Sequence, residues 1–212
     1  MPDPTACAII CAYDEAPRLG GVIPTLLQCG LFDKVLVVDD GSADDTARVA
    51  ASLGAAVVSH AHNLGKARSM QTGLAATSAP IVCFIDADLL NVTKDHICAL
   101  VEPVLKGQVQ VAVAVFSGGR TATTFAQKIS PLISGQRCLR RELFEGFEAW
   151  DSKFGIETAL NAYLKDCGVE QCIVEWEGAS QVMKEEKRGF ARGFAARLGM
   201  YRDILVTWLR SR

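Results

Sequence analysis

At 212 residues, half of them apolar, the chain has material for one well-filled domain with at most a small appendage. Its formal charge of −2 excludes a general electrostatic attraction to nucleic acid or to a membrane. The charge is unevenly placed, since residues 184–212 hold eight Lys/Arg against three acids, +5, which leaves −7 over residues 1–183.

In chain order, "ACAIICAY" (6–13), "KVLVVDD" (34–40), "AAVVSH" (55–60), "PIVCFIDA" (80–87) and "QVQVAVAVF" (108–116) read as strands, mostly continuously apolar rather than alternating. Between them "RLGGVIPTLLQCG" (18–30), "DDTARVAASLG" (44–54), "KARSMQTGLAATS" (66–78) and "DHICALVEPVLKG" (95–107) space their apolar residues at helical intervals. Three of the four end at Gly, and Asp44 or Asp45 and Asp95 are the expected N-caps. The alternation predicts an α/β domain, a mostly parallel Rossmann-like sheet flanked by helices. The eight cysteines do not suggest a disulfide framework, because there is no C-x-x-C pair and no secretory signal, and most, such as Cys7, Cys83 and Cys98, sit in apolar runs. Reduced thiols and a cytoplasmic setting are expected. No apolar stretch reaches the roughly 18 residues that cross a bilayer.

In such a sheet, ligands bind beyond the carboxyl ends of the strands. There the sequence places "YDEAPR" (13–18), "DDGSADD" (39–45), "HAHNLGK" (60–66) and "DAD" (86–88). Each segment alone is ordinary turn chemistry. Together they gather acids, a lysine and an aromatic on one rim that would repel itself without a bound cation. Asp86 and Asp88 have D-x-D spacing, which puts both carboxylates on one side of an extended strand end, within reach of a single ion. Oxygen ligands select hard ions, Mg²⁺ or Mn²⁺, which complete their shells with water and substrate phosphates, so a diphosphate is the expected partner. Lys66, after Gly65 at a helix mouth, either meets the same anion or is a solvated surface lysine. "NLGK" is too short to be a Walker P-loop.

"CAYDEAPRL" (11–19), "VLVVDDGSADDT" (35–46), "NLGKARSMQTGL" (63–74) and "FIDADL" (84–89), in this order and spacing, resemble the nucleotide-sugar-binding half of family-2-type glycosyltransferases, inverting and retaining, with the GT-A fold. "SGQRCLRRELFE" (134–145) and "FGIETALNAYL" (154–164) are more loosely similar to polyprenyl-phosphate glycosyltransferases and glucosyl-3-phosphoglycerate synthases. The resemblance implies that Cys11, Tyr13 and Glu15 line the nucleoside, that Asp40 accepts the imino hydrogen of the base, that Lys66 contacts the diphosphate, and that Asp86 and Asp88 hold ribose and metal. Where relatives carry a histidine that joins the metal, this chain has Gln181, a weaker neutral ligand. His60 and His62 read as loop residues.

The chemistry expected is transfer of a sugar from a UDP- or GDP-sugar, with Asp88 holding the cation that stabilises the departing diphosphate. Glu157, at a helix start, is the candidate base for an acceptor hydroxyl, or a carboxylate that merely complements the helix dipole. Arg137 and Arg140, three apart, would share a helix face and clamp an acceptor phosphate or carboxylate, or be solvated. A nucleotidyltransferase and a sugar-nucleotide-binding protein without turnover are the rival readings. "VLVVDDGS" also suits the acid pocket of a receiver domain, but it ends the second strand instead of the first, in a chain too long for one.

Residues 1–183 are expected to form the GT-A domain and 184–212 a basic amphipathic helix. Phe190, Phe194, Leu198, Tyr201, Leu205 and Trp208 recur at steps of three and four, and Arg188, Arg192, Arg197, Arg202, Arg210 and Arg212 surround them. Such a face suits an anionic membrane surface and a lipid-phosphate acceptor, or covers the domain body or a second subunit of a homodimer.

Overall fold

The computed structural model describes residues 5–117, 134–151 and 155–182. In chain order the elements are β1 (Ala6–Ala12), α1 (Leu19–Cys29), β2 (Lys34–Asp39), α2 (Thr46–Ser52), β3 (Ala56–Ser59), α3 (Lys66–Ala75), β4 (Ile81–Asp86), β5 (Leu89–Leu90), α4 (Lys94–Leu105), β6 (Val111–Ser117), β7 (Arg137–Arg140), α5 (Ile156–Asp166), β8 (Gln171–Glu177) and β9 (Ser180–Gln181). A 3-10 turn over Arg141–Phe144 follows β7. The strands pair in the order β3-β2-β1-β4-β7-β6-β8, and β5 pairs with β9. β7 runs antiparallel to both of its neighbours, whereas the other pairings of the large sheet are parallel.

Both faces of the sheet are covered, which is why its strands are apolar throughout and not alternating. Along β1, Ala6, Ala8, Ile10 and Ala12 face a core built with Leu19, Val22, Ile23 and Leu26 of α1 and Ile97, Leu100, Val101 and Val104 of α4. Cys7 and Ile9 face the other way, onto Ala67, Met70 and Leu74 of α3 and Ile156, Leu160 and Leu164 of α5. The period-2 alternation of side chains in a strand makes this division. All eight cysteines are free thiols.

The five strands and four helices expected from the sequence form within a few residues of their expected limits. The caps differ. α4 starts at Thr93, whose hydroxyl accepts from His96 N while His96 returns the contact, so Asp95 lies inside the first turn instead of capping it. Asp45 is at the N-cap position of α2, but its carboxylate pairs with Arg48, and Asp44 accepts from Thr46 N at 2.9 Å. Arg137 and Arg140 are on β7, not on a helix, so residues three apart point to opposite faces and share no clamp. Arg140 pairs with Ile81 at the start of β4, five residues from Asp86 and therefore about 16 Å away along the strand, which removes it from the site. The expected C-terminal helix, with its aromatic face, its arginines and the membrane or dimer contact read from them, lies outside the described residues. No helix among the described residues is long and apolar enough to cross a membrane.

Gly73 sets how closely α3 lies on the sheet, since a Cβ there would meet Ile9 Cγ2 at 2.5 Å. Alanine is the better helix former by about 1 kcal/mol. Gly73→Ala should nonetheless lower stability, by about 1–3 kcal/mol in urea unfolding, because the overpacked β1–α3 contact cannot relax without moving the helix.

Candidate active site on the carboxyl rim of the sheet

β1, β2 and β4 end in step. Cys11 is in register with Val38 on one side and Asp86 on the other, and Ala12 with Asp39. Tyr13, Asp40 and the Ala87-Asp88 turn therefore emerge at one edge, where the chain passes from the β1-β2-β3 side to β4 and the strand order reverses.

The loops after β1 and β2 are joined by polar contacts. Asp14 N donates to Ser42 Oγ at 3.0 Å, Ala43 N to Asp14 Oδ1 at 2.8 Å, Glu15 N to Thr46 Oγ1 at 2.9 Å and Ala16 N to Asp44 Oδ2 at 3.2 Å. Asp14 takes a left-handed conformation, φ 54°, which aspartate tolerates better than most residues. Tyr13 is 41% exposed at the mouth, whereas Glu15 is buried and pairs with Arg18 at 2.8 Å. Burial pushes the Cys11 thiol up to about 12, so it is a neutral, apolar part of the floor.

Asp40 is 4% exposed, and both of its oxygens are engaged by the loop that leads into α3. Oδ1 accepts from Leu64 N at 2.9 Å and lies 2.7 Å from His60 Nδ1; Oδ2 accepts from Gly65 N at 2.8 Å. His60 Nε2 is 2.8 Å from Thr72 Oγ1 on α3. His60 is thus a bridge with 9% of its side chain exposed, more than the plain loop residue expected from the sequence, while His62 remains exposed in its loop. The clasp places Gly65 and Lys66 at the start of α3. Asparagine at position 40 keeps one acceptor and turns an NH₂ toward these donors. Asp40→Asn should therefore cost about 1.5–3 kcal/mol of stability in urea unfolding, whatever it does to ligand binding.

At the centre, Lys66 Nζ donates to Asp86 Oδ1 and Glu157 Oε1, each at 2.7 Å. Gln136 Nε2 donates to Asp86 Oδ2 at 2.7 Å. Burial alone would lower the pKa of Lys66, but Asp86 and Glu157 outweigh it and raise it well above the usual lysine range. Burial alone would raise Glu157, but Lys66 and, more weakly, Arg137 hold its carboxyl below its usual range. A carboxylate held this way is a weak proton acceptor, so with Lys66 in contact Glu157 acts as a charge partner, not as a base. The folded-state pKa of Glu157 is depressed, so its contribution to stability is present above the unfolded value of about 4.3 and is lost as the pH falls through the folded value. The stability difference between the parent and Glu157→Gln, followed by urea unfolding against pH, should be constant above about pH 5 and shrink below about pH 4.

Arg137 is 1% exposed and lies beneath this cluster. It donates to Asn161 Oδ1 at 3.1 Å and to Ser134 O at 2.7 Å, which suits bracing of the site from below better than contact with an acceptor. Asp88 follows in the turn between β4 and β5. Leu89 pairs with Gln181, and Val182 N donates to Asp88 O at 3.1 Å, so the short β5–β9 ladder places Gln181 beside the D-x-D turn. The described residues contain no group of three or more His, Cys, Asp or Glu arranged around a metal position. Asp86 and Asp88, with the Gln181 amide nearby, offer oxygen ligands only, the chemistry that fits a hard cation whose shell is completed by substrate phosphates. Ser134, Gly135, Gln136, Asn161 and Thr72 are members of the site that the sequence reading missed. "SGQR" was noted, but a buried glutamine carries no periodicity or spacing that distinguishes it.

A mostly parallel sheet covered on both faces, with acids and a lysine where the strand order reverses, defines a doubly wound α/β domain with its ligand crevice on that rim. Residues 7–164 match Glycosyl transferase family 2, and the chain belongs to that family. The GT-A fold expected from the sequence is the one observed. The chain is 32% identical over 148 residues to the glucosyl-3-phosphoglycerate synthase of Mycolicibacterium paratuberculosis, a match covering 61% of this chain and 45% of that one. It therefore spans less than half the length of that curated relative. It superimposes on the Mycobacterium tuberculosis glucosyl-3-phosphoglycerate synthase in complex with Mn²⁺, UDP-glucose and phosphoglyceric acid with a TM-score of 0.77 at 27% identity, over 98% of this chain and 79% of that chain. The same enzyme in complex with Mg²⁺ and UDP gives a TM-score of 0.77 at 26% identity, with the same coverage.

Proposed function

We propose that the chain transfers a hexosyl group from a nucleoside-diphosphate sugar, a uridine diphosphate sugar foremost, to a small phosphorylated acceptor with the help of Mg²⁺ or Mn²⁺. The observation that carries this reading is the Lys66 ion pair with Asp86 and Glu157 beside the D-x-D turn, in a family-2 fold. The choice of uridine and of a phosphorylated acceptor is supported by the ligands of the M. tuberculosis synthase.

Tyr13, Cys11 and Glu15 would border the nucleoside and Lys66 would receive the diphosphate. Asp40 would meet the base through a carboxylate that also holds the 60–66 loop. Asp86 and Asp88, with Gln181 beside them, would hold the cation and ribose. The ion, when bound, supplies positive charge to the leaving diphosphate. As the diphosphate takes over Lys66, Glu157 loses the partner that holds its pKa down, and its proton affinity rises toward that of an ordinary carboxylate. The base would then become competent only once the donor is seated. Arg137 steadies this arrangement from below.

The test is incubation of the protein with UDP-glucose, MnCl₂ and 3-phosphoglyceric acid, with free UDP measured, and, in a separate reaction, with UTP, glucose 1-phosphate and MnCl₂, with pyrophosphate measured. Acceptor-dependent UDP release supports transfer, pyrophosphate release identifies a nucleotidyltransferase, and tight UDP binding without release identifies a binding protein. Asp88→Ala should keep the fold and weaken Mn²⁺-dependent UDP binding about 100-fold, the equivalent of about 2.7 kcal/mol, in titration calorimetry. Undiminished binding would remove Asp88 from the metal site.

A further inference from the structure

The two oxygens of Asp86 have partners of different character. Oδ1 faces Lys66, whose side chain is 37% exposed on a flexible stem and is shared with Glu157. Oδ2 faces Gln136, which is 1% exposed. Gln136 is itself held: its Oε1 accepts from Ser134 Oγ at 2.8 Å, and Ser134 is 3% exposed. With the amide oxygen committed to that hydroxyl, the NH₂ is the group turned to the carboxylate, which can only accept. The backbone is pinned as well. Ala114 N on β6 donates to Gln136 O at 2.9 Å, and Arg137 Nη2 donates to Ser134 O at 2.7 Å. Gly135 completes the seat, since a Cβ there would lie 2.3 Å from Asp86 Oδ2 and 2.7 Å from Oδ1.

We propose that Gln136 is a positioning residue for Asp86, fixing Oδ2 from the buried side so that Oδ1, now covered by Lys66, is the oxygen handed over to the incoming donor or its cation. This rests on the nucleotide-sugar reading above. The physical reason is the soft terminal torsion of aspartate, which is broad and roughly two-fold. A carboxylate whose Oδ2 was not held would be less well oriented once the lysine at Oδ1 leaves for the diphosphate, and binding would have to order it again. Held by Gln136, it stays in place while its partner at Oδ1 is exchanged. The rigid partner comes from the sheet and the exchangeable one from the start of α3.

The test is titration calorimetry of UDP in saturating Mn²⁺ with the parent, Ser134→Ala and Gln136→Leu. The fitted stoichiometry reports the fraction of folded sites, and the dissociation constant reports their geometry. The parent should bind one UDP. Gln136→Leu, of similar size and apolar in a buried place, should bind about 10-fold or more weakly at unchanged stoichiometry, the scale on which residues supporting a metal or ligand site act. Ser134→Ala should shift in the same direction by less. Lower stoichiometry with an unchanged dissociation constant in Gln136→Leu makes the residue merely structural and overturns the proposal. If that variant does not fold, Ser134→Ala decides alone, and an unchanged dissociation constant overturns the proposal. A parent that binds no UDP overturns the nucleotide-sugar reading, and this proposal with it.

Discussion

A buried strand that ends on a carboxylate has to be given partners, and the site is built around meeting that requirement at Asp86. β4 runs through the middle of the sheet with five buried residues before the chain reaches this acid. An isolated ionised carboxylate so close to the core would cost several kcal/mol or take up a proton. Instead, three separate parts of the chain converge on it: the first residue of α3 with Lys66, the segment before β7 with Gln136, and, through Lys66, the first turn of α5 with Glu157. The same contacts that make the acid tolerable also make a polarised, partly open cluster with two cations and two anions. In the proposed exchange, a ligand carrying its own negative charge and its own cation would replace Lys66 at Asp86 and take Lys66 for itself, leaving Glu157 with the weaker field of Arg137.

The rest of the rim serves to keep these groups where the exchange can happen. Asp40 spends its carboxylate on two backbone N–H groups and His60, and this determines where α3 begins. The loops after β1 and β2 hold each other through Asp14, Ser42, Asp44 and Thr46, so the mouth beside Tyr13 is a joined surface and not two independent turns. Stability and ligand recognition therefore draw on the same residues, and a substitution such as one at Asp40 acts on both.

The antiparallel β7 explains how a sheet of parallel strands brings buried polar groups to the site. Running against β4, it carries its N-terminal end to the carboxyl end of β4, so Gln136, just before the strand, meets Asp86 and Arg137 lies opposite Phe84, while Arg140 ends at the opposite edge. Beyond Asp86, the β5–β9 pairing draws Gln181 to the D-x-D turn from a distant part of the sequence. These two antiparallel pairings bring a buried amide to the carboxylate at the end of β4 and a second amide to the turn that follows it.

The sequence by itself determined the α/β class, the parallel strands β1–β4, the rim on which polar residues collect and the family resemblance, because these depend on local periodicity and on short motifs at strand ends. It also pointed to Lys66, Asp86 and Glu157, which the fold brings together and each of which stands at an element boundary where its residue type is informative. What only the tertiary structure decided are the pairings across long separations in the chain. The clasp between Asp40 and His60 has no signature in the sequence, because it forms only when β2 and α3 pack. Arg137 and Arg140 looked alike at a spacing of three, and the strand conformation, which sends them to opposite faces, separated them. Gln136 had no signal at all: a buried glutamine becomes meaningful only when folding places its amide 2.7 Å from the carboxylate it holds.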